Sequence, residues 1–289
     1  MPGKHLFYPG CSLEAGGGYL ESLNAVMKAL GEELPELPDW NCCGSTMLKA
    51  YNRGTSAVTA ARNFSIAKKN GAGTIVVICN ACLSTLIEQR NYLRDNPALA
   101  ARAADALAAA GHELVLDIEI KHLLDYIVDD VGLDRVKALV KKPLEGLNLG
   151  AYYGCLYTRP ARPGIDSDDP QYLERLITVL GGNAVPFNAK SYCCGASQVV
   201  GHPDIGKGLA KGIMTFASHK GIDGLLSICP MCNFNLETYS GADALENPAG
   251  VLFFTQAMGI AFGLGEEELG TGKLLLPPRK LVGSLTATL

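Results

Sequence analysis

The chain has 289 residues, a net charge of −4, 48% hydrophobic and 19% charged residues. This composition is typical of a globular protein and argues against a disordered one. The acidic balance argues against a nucleic-acid partner, since nucleic-acid binders are normally basic. We expect no signal peptide, because residues 1–10 lack an apolar core, and no membrane insertion, because the apolar stretches at 97–111 and 251–264 are interrupted or short. A cytoplasmic protein is therefore expected.

In each half of the sequence, apolar runs alternate with helix-patterned segments. In the first half they fall at residues 5–11, 19–30, 33–37, 54–69 and 74–79. In the second half they fall at residues 149–155, 171–180, 184–187, 204–220 and 224–229. The last run of each half is almost continuously apolar, as is typical of a strand buried on both faces of a parallel sheet. A glycine follows the first helix of each half, Gly31 or Gly181, where a helix commonly ends.

This alternation predicts an α/β fold of two duplicated Rossmann-like β-α-β half-domains with parallel sheets. We place the first half-domain at residues 1–146, with a helical connector, and the second at 147–289. The segments 97–111 and 118–140 are expected to be helical and to serve packing and connection.

All ten cysteines belong to one five-cysteine pattern that is written twice. The first set is Cys11, Cys42, Cys43, Cys79 and Cys82, and the second is Cys155, Cys193, Cys194, Cys229 and Cys232. In each set the cysteines terminate predicted strands or lie on the loop after one. Because ligands of such sheets lie beyond the carboxyl ends of the strands, each set is expected to converge on one site.

Three kinds of chemistry use cysteines in such numbers. Disulfides are disfavoured by the expected compartment, where thiols stay reduced, and by the strained ring that adjacent cysteines would form. Zinc is disfavoured because a structural site takes four ligands, whereas each half offers five thiols. Iron–sulfur clusters are favoured because soft thiolates select them, and a cluster is broad enough to be reached from five directions. The compact cysteine run of ordinary cubane clusters is absent from the sequence, which suggests a larger or differently shaped cluster.

Several short motifs carry a family resemblance. They are Cys42-Cys43-Gly44, Cys193-Cys194-Gly195, Tyr153-Gly154-Cys155, Thr158-Arg159-Pro160, Cys79-Asn80-Ala81-Cys82 and Cys229-Pro230-Met231-Cys232. On these motifs the chain closely resembles the B subunit of the heterodisulfide reductase family, a duplicated CCG cysteine-rich protein. The resemblance covers almost the whole chain, apart from a short carboxyl-terminal stretch.

The resemblance implies an oxidoreductase with two non-cubane [4Fe–4S] clusters, which in that family face each other across a cavity where a disulfide is split. In methanogenesis that disulfide joins coenzyme M to coenzyme B. Carried over position by position, one cluster is held by Cys11, Cys42, Cys43, Cys79 and Cys82, and the other by Cys155, Cys193, Cys194, Cys229 and Cys232. No catalytic residue beyond these ligands is expected.

The resemblance also implies partners. The sequence has no ferredoxin-type run and no flavin or nicotinamide fingerprint, so a partner must supply the electrons. In the family this partner is the small C subunit, which carries cubane iron–sulfur clusters and is fed by the flavin-containing A subunit. In an alternative context, related CCG subunits pass electrons in sulfur-oxidising, fumarate- or succinate-linked, and hydroxyacid-oxidising complexes connected to a quinone.

Four further residues are expected to contact the substrate. Arg159 and Arg162 follow Cys155 and suit an anionic group, through fork-shaped hydrogen bonds. Lys190, which precedes the second cysteine pair, is a weaker candidate for the same role. His202 suits a proton donor. For each of them, an ordinary structural or solvated position is the competing interpretation.

Overall fold

The computed structural model describes residues 4–13, 16–242, 245 and 247–281. The strands are β1 (Lys4–Tyr8), β2 (Ala72–Val77), β3 (Glu119–His122), β4 (Asn148–Tyr152), β5 (Asn183–Ala184), β6 (Gly224–Ser227) and β7 (Gly250–Phe253). The first helices are α1 (Tyr19–Leu30), α2 (Met47–Tyr51), α3 (Arg53–Lys69), α4 (Asn80–Asp95), α5 (Pro97–Ala109), α6 (Leu123–Asp125) and α7 (Leu133–Ala138). They are followed by α8 (Tyr172–Val179), α9 (Pro203–His219), α10 (Pro230–Tyr239), α11 (Phe254–Phe262) and α12 (Glu266–Leu269).

The chain forms two compact units. One comprises Met1–Cys11 and Leu34–Tyr126, and the other comprises Ser12–Glu33 and Ile127–Leu289. The first unit has a parallel three-stranded sheet in the order β1-β2-β3, and the second a parallel four-stranded sheet in the order β5-β4-β6-β7. The predicted α/β fold with two parallel sheets is therefore confirmed.

The central strand of each sheet is apolar because both of its faces are covered. In β2 the side chains of Ile75, Val76 and Val77 are fully buried, and in β6 those of Leu225 and Leu226 are. Helices lie against both strands, as the hydrophobic pattern predicts for a doubly covered sheet. Helix α1 ends at Gly31, which adopts a left-handed conformation with φ of 67° and closes the helix through its backbone N–H.

Two expected strands are shorter than the sequence suggests. Residues 33–37 form a single bridge, between Glu36 and Phe7, and the run at 184–187 contributes only the end of β5. Two strands were also missed, β7 near the end of the chain and β3, since residues 118–140 do not begin as a helix. They begin with β3, which pairs with β2 through Ile120 opposite Ile75. At four residues, β3 is at the lower limit of the length over which an alternating pattern indicates a strand.

The compact units do not follow the duplication of the sequence. Helix α1 is encoded in the first half, yet it belongs to the second unit and packs against α11 and α12. Residues 127–146, which the sequence assigns to a connector, belong to the same unit. Of the helices in the described part of the chain, none is both long and apolar enough to cross a membrane.

Candidate metal centres

The two C-x-x-C motifs lie where a central strand ends and a helix begins. Cys79 is the N-cap of α4 and Cys82 lies in its first turn, just after β2. Cys229 is the N-cap of α10 and Cys232 lies in its first turn, just after β6. A helix start generally favours a thiolate, but hydrogen bonds to neighbouring cysteines, and then burial, raise the pKa values of Cys82 and Cys232.

The other cysteines reach the same edge of each sheet. Cys11 follows β1 and Cys155 follows β4, each within three residues of the end of its strand. The adjacent pairs lie on loops that precede α2 and α9. The first five cysteines all belong to the first unit and the second five to the second unit.

A tyrosine fixes the loop of each cysteine pair. The hydroxyl of Tyr8 donates a hydrogen bond to the carbonyl of Asn41 over 2.7 Å, and that of Tyr152 donates to the carbonyl of Tyr192 over 2.8 Å. Each tyrosine lies three residues before the lone cysteine, and each acceptor lies just before the pair. Neither contact was predicted from the sequence, although a tyrosine at the same place in both repeats was a usable signal.

Glycines after the cysteine pairs allow close packing. Gly44 and Gly195 have φ of 81° and 82°, a conformation that residues other than glycine rarely adopt. A β-carbon on Gly44 would lie 2.8 Å from the hydroxyl of Ser56, and one on Gly195 would lie 2.6 Å from the carbonyl of Gly206. The loops therefore rest directly on the starts of α3 and α9.

In the first set, the thiols share hydrogen bonds. Those of Cys42 and Cys82 donate to the sulfur of Cys43, which lowers the pKa of Cys43 to about 4. The pKa of Cys42 is raised, first by this hydrogen bond and then by burial. Cys82 also hydrogen-bonds Cys79, and Cys11 is close enough to Cys42 for their charges to interact. Hydrogen bonds thus link four of the five sulfurs, and Cys11 lies near enough for its charge to act on them.

The second set repeats this arrangement. A hydrogen bond from Cys155 lowers the pKa of Cys193 to about 6 and raises that of Cys155. The sulfurs of Cys194 and Cys232 are 3.5 Å apart, and the hydrogen bond between them lowers the pKa of Cys194. Cys232 in turn hydrogen-bonds Cys229. Each set therefore places ionisable sulfurs side by side.

Buried hydroxyl groups accompany the cysteines. Within the described part of the chain, the hydroxyls of Ser12, Thr158 and Ser191 are buried and have no hydrogen-bond partner. Ser12 follows Cys11, while the other two hydroxyls lie close in sequence to Cys155 and Cys193. Buried hydroxyls normally find an acceptor, and a group bound beside the thiols could provide one.

The donor set suits an iron–sulfur cluster, because thiolates are the ligands that such clusters take. Across residues 4–281, apart from the few whose positions are not described, no group of three or more His, Cys, Asp or Glu is arranged to hold a single metal ion. The cysteines of each half are the residues that would hold a cluster.

One of the four expected substrate residues, Arg159, contacts a cysteine of the second set. Arg159 is exposed, and its guanidinium donates to the carbonyl of Cys155 over 3.1 Å. Arg162 donates to the carbonyl of Tyr157 and lies over its ring, 4.8 Å from the centroid. His202 is exposed at the N-cap of α9.

Lys190 is occupied inside the second unit. It is only 8% exposed, and its ammonium donates to the carbonyl of Pro170 over 2.7 Å and to Glu174 over 2.8 Å. It also pairs with Asp169, while Glu174 accepts a hydrogen bond from the hydroxyl of Tyr153. Lys190 therefore joins the strand end before Cys155 to helix α8, and two carboxylates, those of Glu174 and Asp169, pair with its charge.

A solved structure has the same fold. The crystal structure of a hypothetical protein from Helicobacter pylori superposes with a TM-score of 0.73 at 15% identity, over 95% of this chain and 52% of that one. The chain thus spans about half the length of that protein. At this identity the likeness concerns the fold alone.

Several relatives are similar over most of their length. The chain is 27% identical to the 8-methylmenaquinol:fumarate reductase membrane anchor subunit of Wolinella succinogenes, over 97% of this chain and 100% of the relative. It is 24% identical to the B subunit of the ferredoxin/F420H2-dependent CoB-CoM heterodisulfide reductase of Methanosarcina acetivorans, over 88% of this chain and 87% of the relative. It is 28% identical, over 66% of each chain, to a protein of Archaeoglobus profundus that is named as like the B subunit of heterodisulfide reductase.

These relatives are named as subunits or subunit-like proteins of reductases, which agrees with the resemblance seen in the motifs. The family model of the cysteine-rich domain called CCG matches residues 5–87 and again residues 149–237. Each match contains one of the two sets of five cysteines and one C-x-x-C helix start. The chain therefore belongs to the CCG cysteine-rich domain family, with two copies of the domain.

Proposed function

We propose that the chain is the catalytic subunit of a disulfide reductase complex, in which each five-cysteine set holds one non-cubane [4Fe–4S] cluster. The overall reaction takes two electrons and two protons to convert a disulfide, R–S–S–R′, into two thiols. The coenzyme M–coenzyme B disulfide named for the Methanosarcina acetivorans relative is one such substrate. The observation that carries the proposal is the presence of two complete sets, each gathered at one sheet edge.

The duplication gives the proposal its chemical reason. A disulfide has two ends of similar chemistry, and two complete sites provide one for each sulfur. When bound, an iron–sulfur cluster supplies single electrons and iron atoms that bind sulfur. A protein with one site would have to bind both sulfurs of the disulfide at that site. The proposal therefore requires that the second cysteine set is intact.

The chain's own residues hold the sulfurs in position. Tyr8 and Tyr152 fix the loops of the cysteine pairs, and the starts of α4 and α10 place the C-x-x-C cysteines just after the central strands. The buried thiols of Cys43 and Cys194 lie away from water, which protects reduced sulfur chemistry from side reactions. Arg159, exposed beside Cys155, is the residue that we assign to an anionic group of the substrate.

The electrons must come from other subunits. The sequence has no flavin, nicotinamide or ferredoxin motif, so we assign this role to a small protein with cubane clusters and a flavin-containing protein, like the C and A subunits of heterodisulfide reductase. The complex is expected to act in the cytoplasm.

The first test is anaerobic purification followed by iron and sulfide analysis. Two four-iron clusters require about eight irons and about eight sulfides per chain. Four or fewer irons in an undamaged preparation would count against two clusters. Addition of a candidate disulfide should produce a new paramagnetic signal in electron paramagnetic resonance spectra, and addition of the corresponding dithioether should not.

A matched pair of variants tests whether both sites are needed. Cys193→Ala should remove the second cluster's signal while the first cluster's signal persists. Cys42→Ala should remove the first cluster's signal while the second cluster's signal persists. Both variants should lose turnover. Full disulfide reductase activity in either variant would contradict the requirement for both sites. The retained signal of the other site shows that the variant has folded.

A second candidate function is electron transfer in a quinone-linked complex. It is favoured by the relative from Wolinella succinogenes, which covers the whole length and is named as part of an 8-methylmenaquinol:fumarate reductase. In that case the clusters would be reduced or oxidised with a quinol-linked partner, and a disulfide would produce neither a new signal nor thiols. The disulfide titration described above therefore distinguishes the two functions.

A further inference from the structure

Close packing within the second unit requires glycine at each position of the run Gly16-Gly17-Gly18. A β-carbon on Gly16 would lie 2.9 Å from the ring of Phe253 and 3.2 Å from Cβ of Pro230. Pro230 is the first residue of α10, directly after Cys229. The segment that follows Cys11 in the sequence therefore rests on the second C-x-x-C motif.

The next two glycines are equally constrained. A β-carbon on Gly17 would lie 2.7 Å from the carbonyl of Lys273, and one on Gly18 would lie 2.4 Å from that of Gly270. Gly18 also has φ of 81°, a conformation that other residues rarely adopt. The side chain of Gln256 donates to the carbonyl of Gly17 over 3.2 Å. The three glycines thus form a fixed seat at the start of α1.

This glycine seat places Tyr19 beside the end of the strand that precedes Cys229. The ring of Tyr19 is fully buried and stacks on Phe253, with centroids 3.9 Å apart and planes inclined by 14°. Its hydroxyl donates to the carbonyl of Ile228 over 3.1 Å. Ile228 is also fully buried and lies in the two-residue link between β6 and α10.

We propose that Tyr19 is a positioning residue for the second metal centre, held in place by the glycine seat and acting through the Ile228 carbonyl on Cys229. The inference rests on the proposed function, since it assumes that the second cysteine set binds a cluster. Tyr19 and Tyr152 then fix two different ligand stretches of that site, Tyr19 the C-x-x-C start and Tyr152 the loop of the cysteine pair. This role of Tyr19 also gives a reason why α1 belongs to the second unit.

The test compares Tyr19→Phe with Ser22→Ala in the full chain. Both changes remove a buried hydroxyl from α1, but the hydroxyl of Ser22 hydrogen-bonds that of Thr255 over 2.7 Å, in the packing of α1 against α11. Tyr19→Phe keeps the aromatic ring and removes the hydroxyl that bonds Ile228. Both variants are expected to lower the melting temperature.

Only Tyr19→Phe should alter the second cluster. We expect a shift in that cluster's paramagnetic signal and reduction midpoint, with an unchanged first-cluster signal. We also expect about fivefold faster loss of the second cluster's iron to a chelator, the factor that one lost hydrogen bond implies. Each cluster is followed separately in the Cys42→Ala and Cys193→Ala backgrounds.

Two results would overturn the inference. One is a Tyr19→Phe variant whose cluster signals and iron loss equal those of Ser22→Ala, which would leave Tyr19 a purely structural residue. The other is an equal change in both clusters. If the wild-type chain binds no iron at all, the proposed function fails instead, so the two failures are distinguishable.

Discussion

The hydroxyl of Tyr8 donates to the carbonyl of Asn41, and this bond joins the strand before Cys11 to the loop that begins with Cys42. Tyr152 makes the same bond to Tyr192 in the second unit. Each copy of the domain thus has one such contact, although the acceptor residues differ. Since a backbone carbonyl is the acceptor, only the tyrosine has to be retained.

Tyr8→Phe and Tyr152→Phe should each weaken one site. The change keeps the ring and removes one hydrogen bond, which costs about 1 kcal/mol in the free energy of unfolding. We expect faster iron loss at the first site for Tyr8→Phe and at the second for Tyr152→Phe, measured by chelation. Tyr172→Phe is the control, because its hydroxyl bonds Asp129 at an exposed position. Equal iron loss in all three variants would refute the role of the bond.

Gly195→Ala should destabilise the chain more than Gly31→Ala does. Both positions have positive φ, but a β-carbon on Gly31 meets nothing within 4 Å, whereas one on Gly195 would lie 2.6 Å from a backbone carbonyl. The left-handed conformation alone costs about 1 kcal/mol for alanine, and overpacking against backbone adds about 1–3 kcal/mol. Urea unfolding measures the difference, and equal losses would show that the loop can move away from α9.

The sequence predicted the part of the site that depends on local pattern. Cysteines at the ends of apolar runs imply convergence at a sheet edge. The location of α1 was not predictable, because an apolar helix stripe does not reveal which surface it covers. The burial of Lys190 was not predictable for a related reason. A lysine next to a cysteine pair suggests an exposed charge, while its partner Glu174 lies sixteen residues away in sequence.

Lys190→Ala should therefore reduce stability, not merely substrate affinity. The change would leave the carboxylate of Glu174 half-buried without its ammonium partner, and breaking a buried pair typically costs about 3–5 kcal/mol. Because Glu174 is partly exposed, the lower end of that range is expected. Arg159→Ala is the matched comparison, since Arg159 is exposed, and we expect it to raise the KM for an anionic disulfide with little change in melting temperature. A Lys190→Ala variant as stable as wild type would contradict this assignment.

Glu237 should make the stability of the second unit depend on pH. It lies in α10 and accepts hydrogen bonds from the backbone N–H groups of Leu275 and Leu276 and from the side chain of Asn233. Burial raises its pKa above the ordinary value of 4.5, although these bonds oppose the shift. A raised folded-state pKa means that the fold favours the protonated carboxyl. The associated stabilisation is complete below the unfolded pKa and is lost as pH rises through the folded pKa.

The Glu237→Gln variant stays neutral and should lack this dependence. In urea unfolding from about pH 4 to about pH 8, wild type should lose free energy of unfolding relative to the variant as pH rises, and then reach a plateau. Glu21 provides a control of opposite sign, because the hydrogen bond from Lys273 lowers its pKa. The contribution of Glu21 is present above its unfolded pKa and is lost as pH falls through the folded one, so wild type should gain relative to Glu21→Gln as pH rises. A wild-type chain that gains relative to both variants would contradict the burial effect at Glu237, since the two carboxyls would then respond to pH in the same direction.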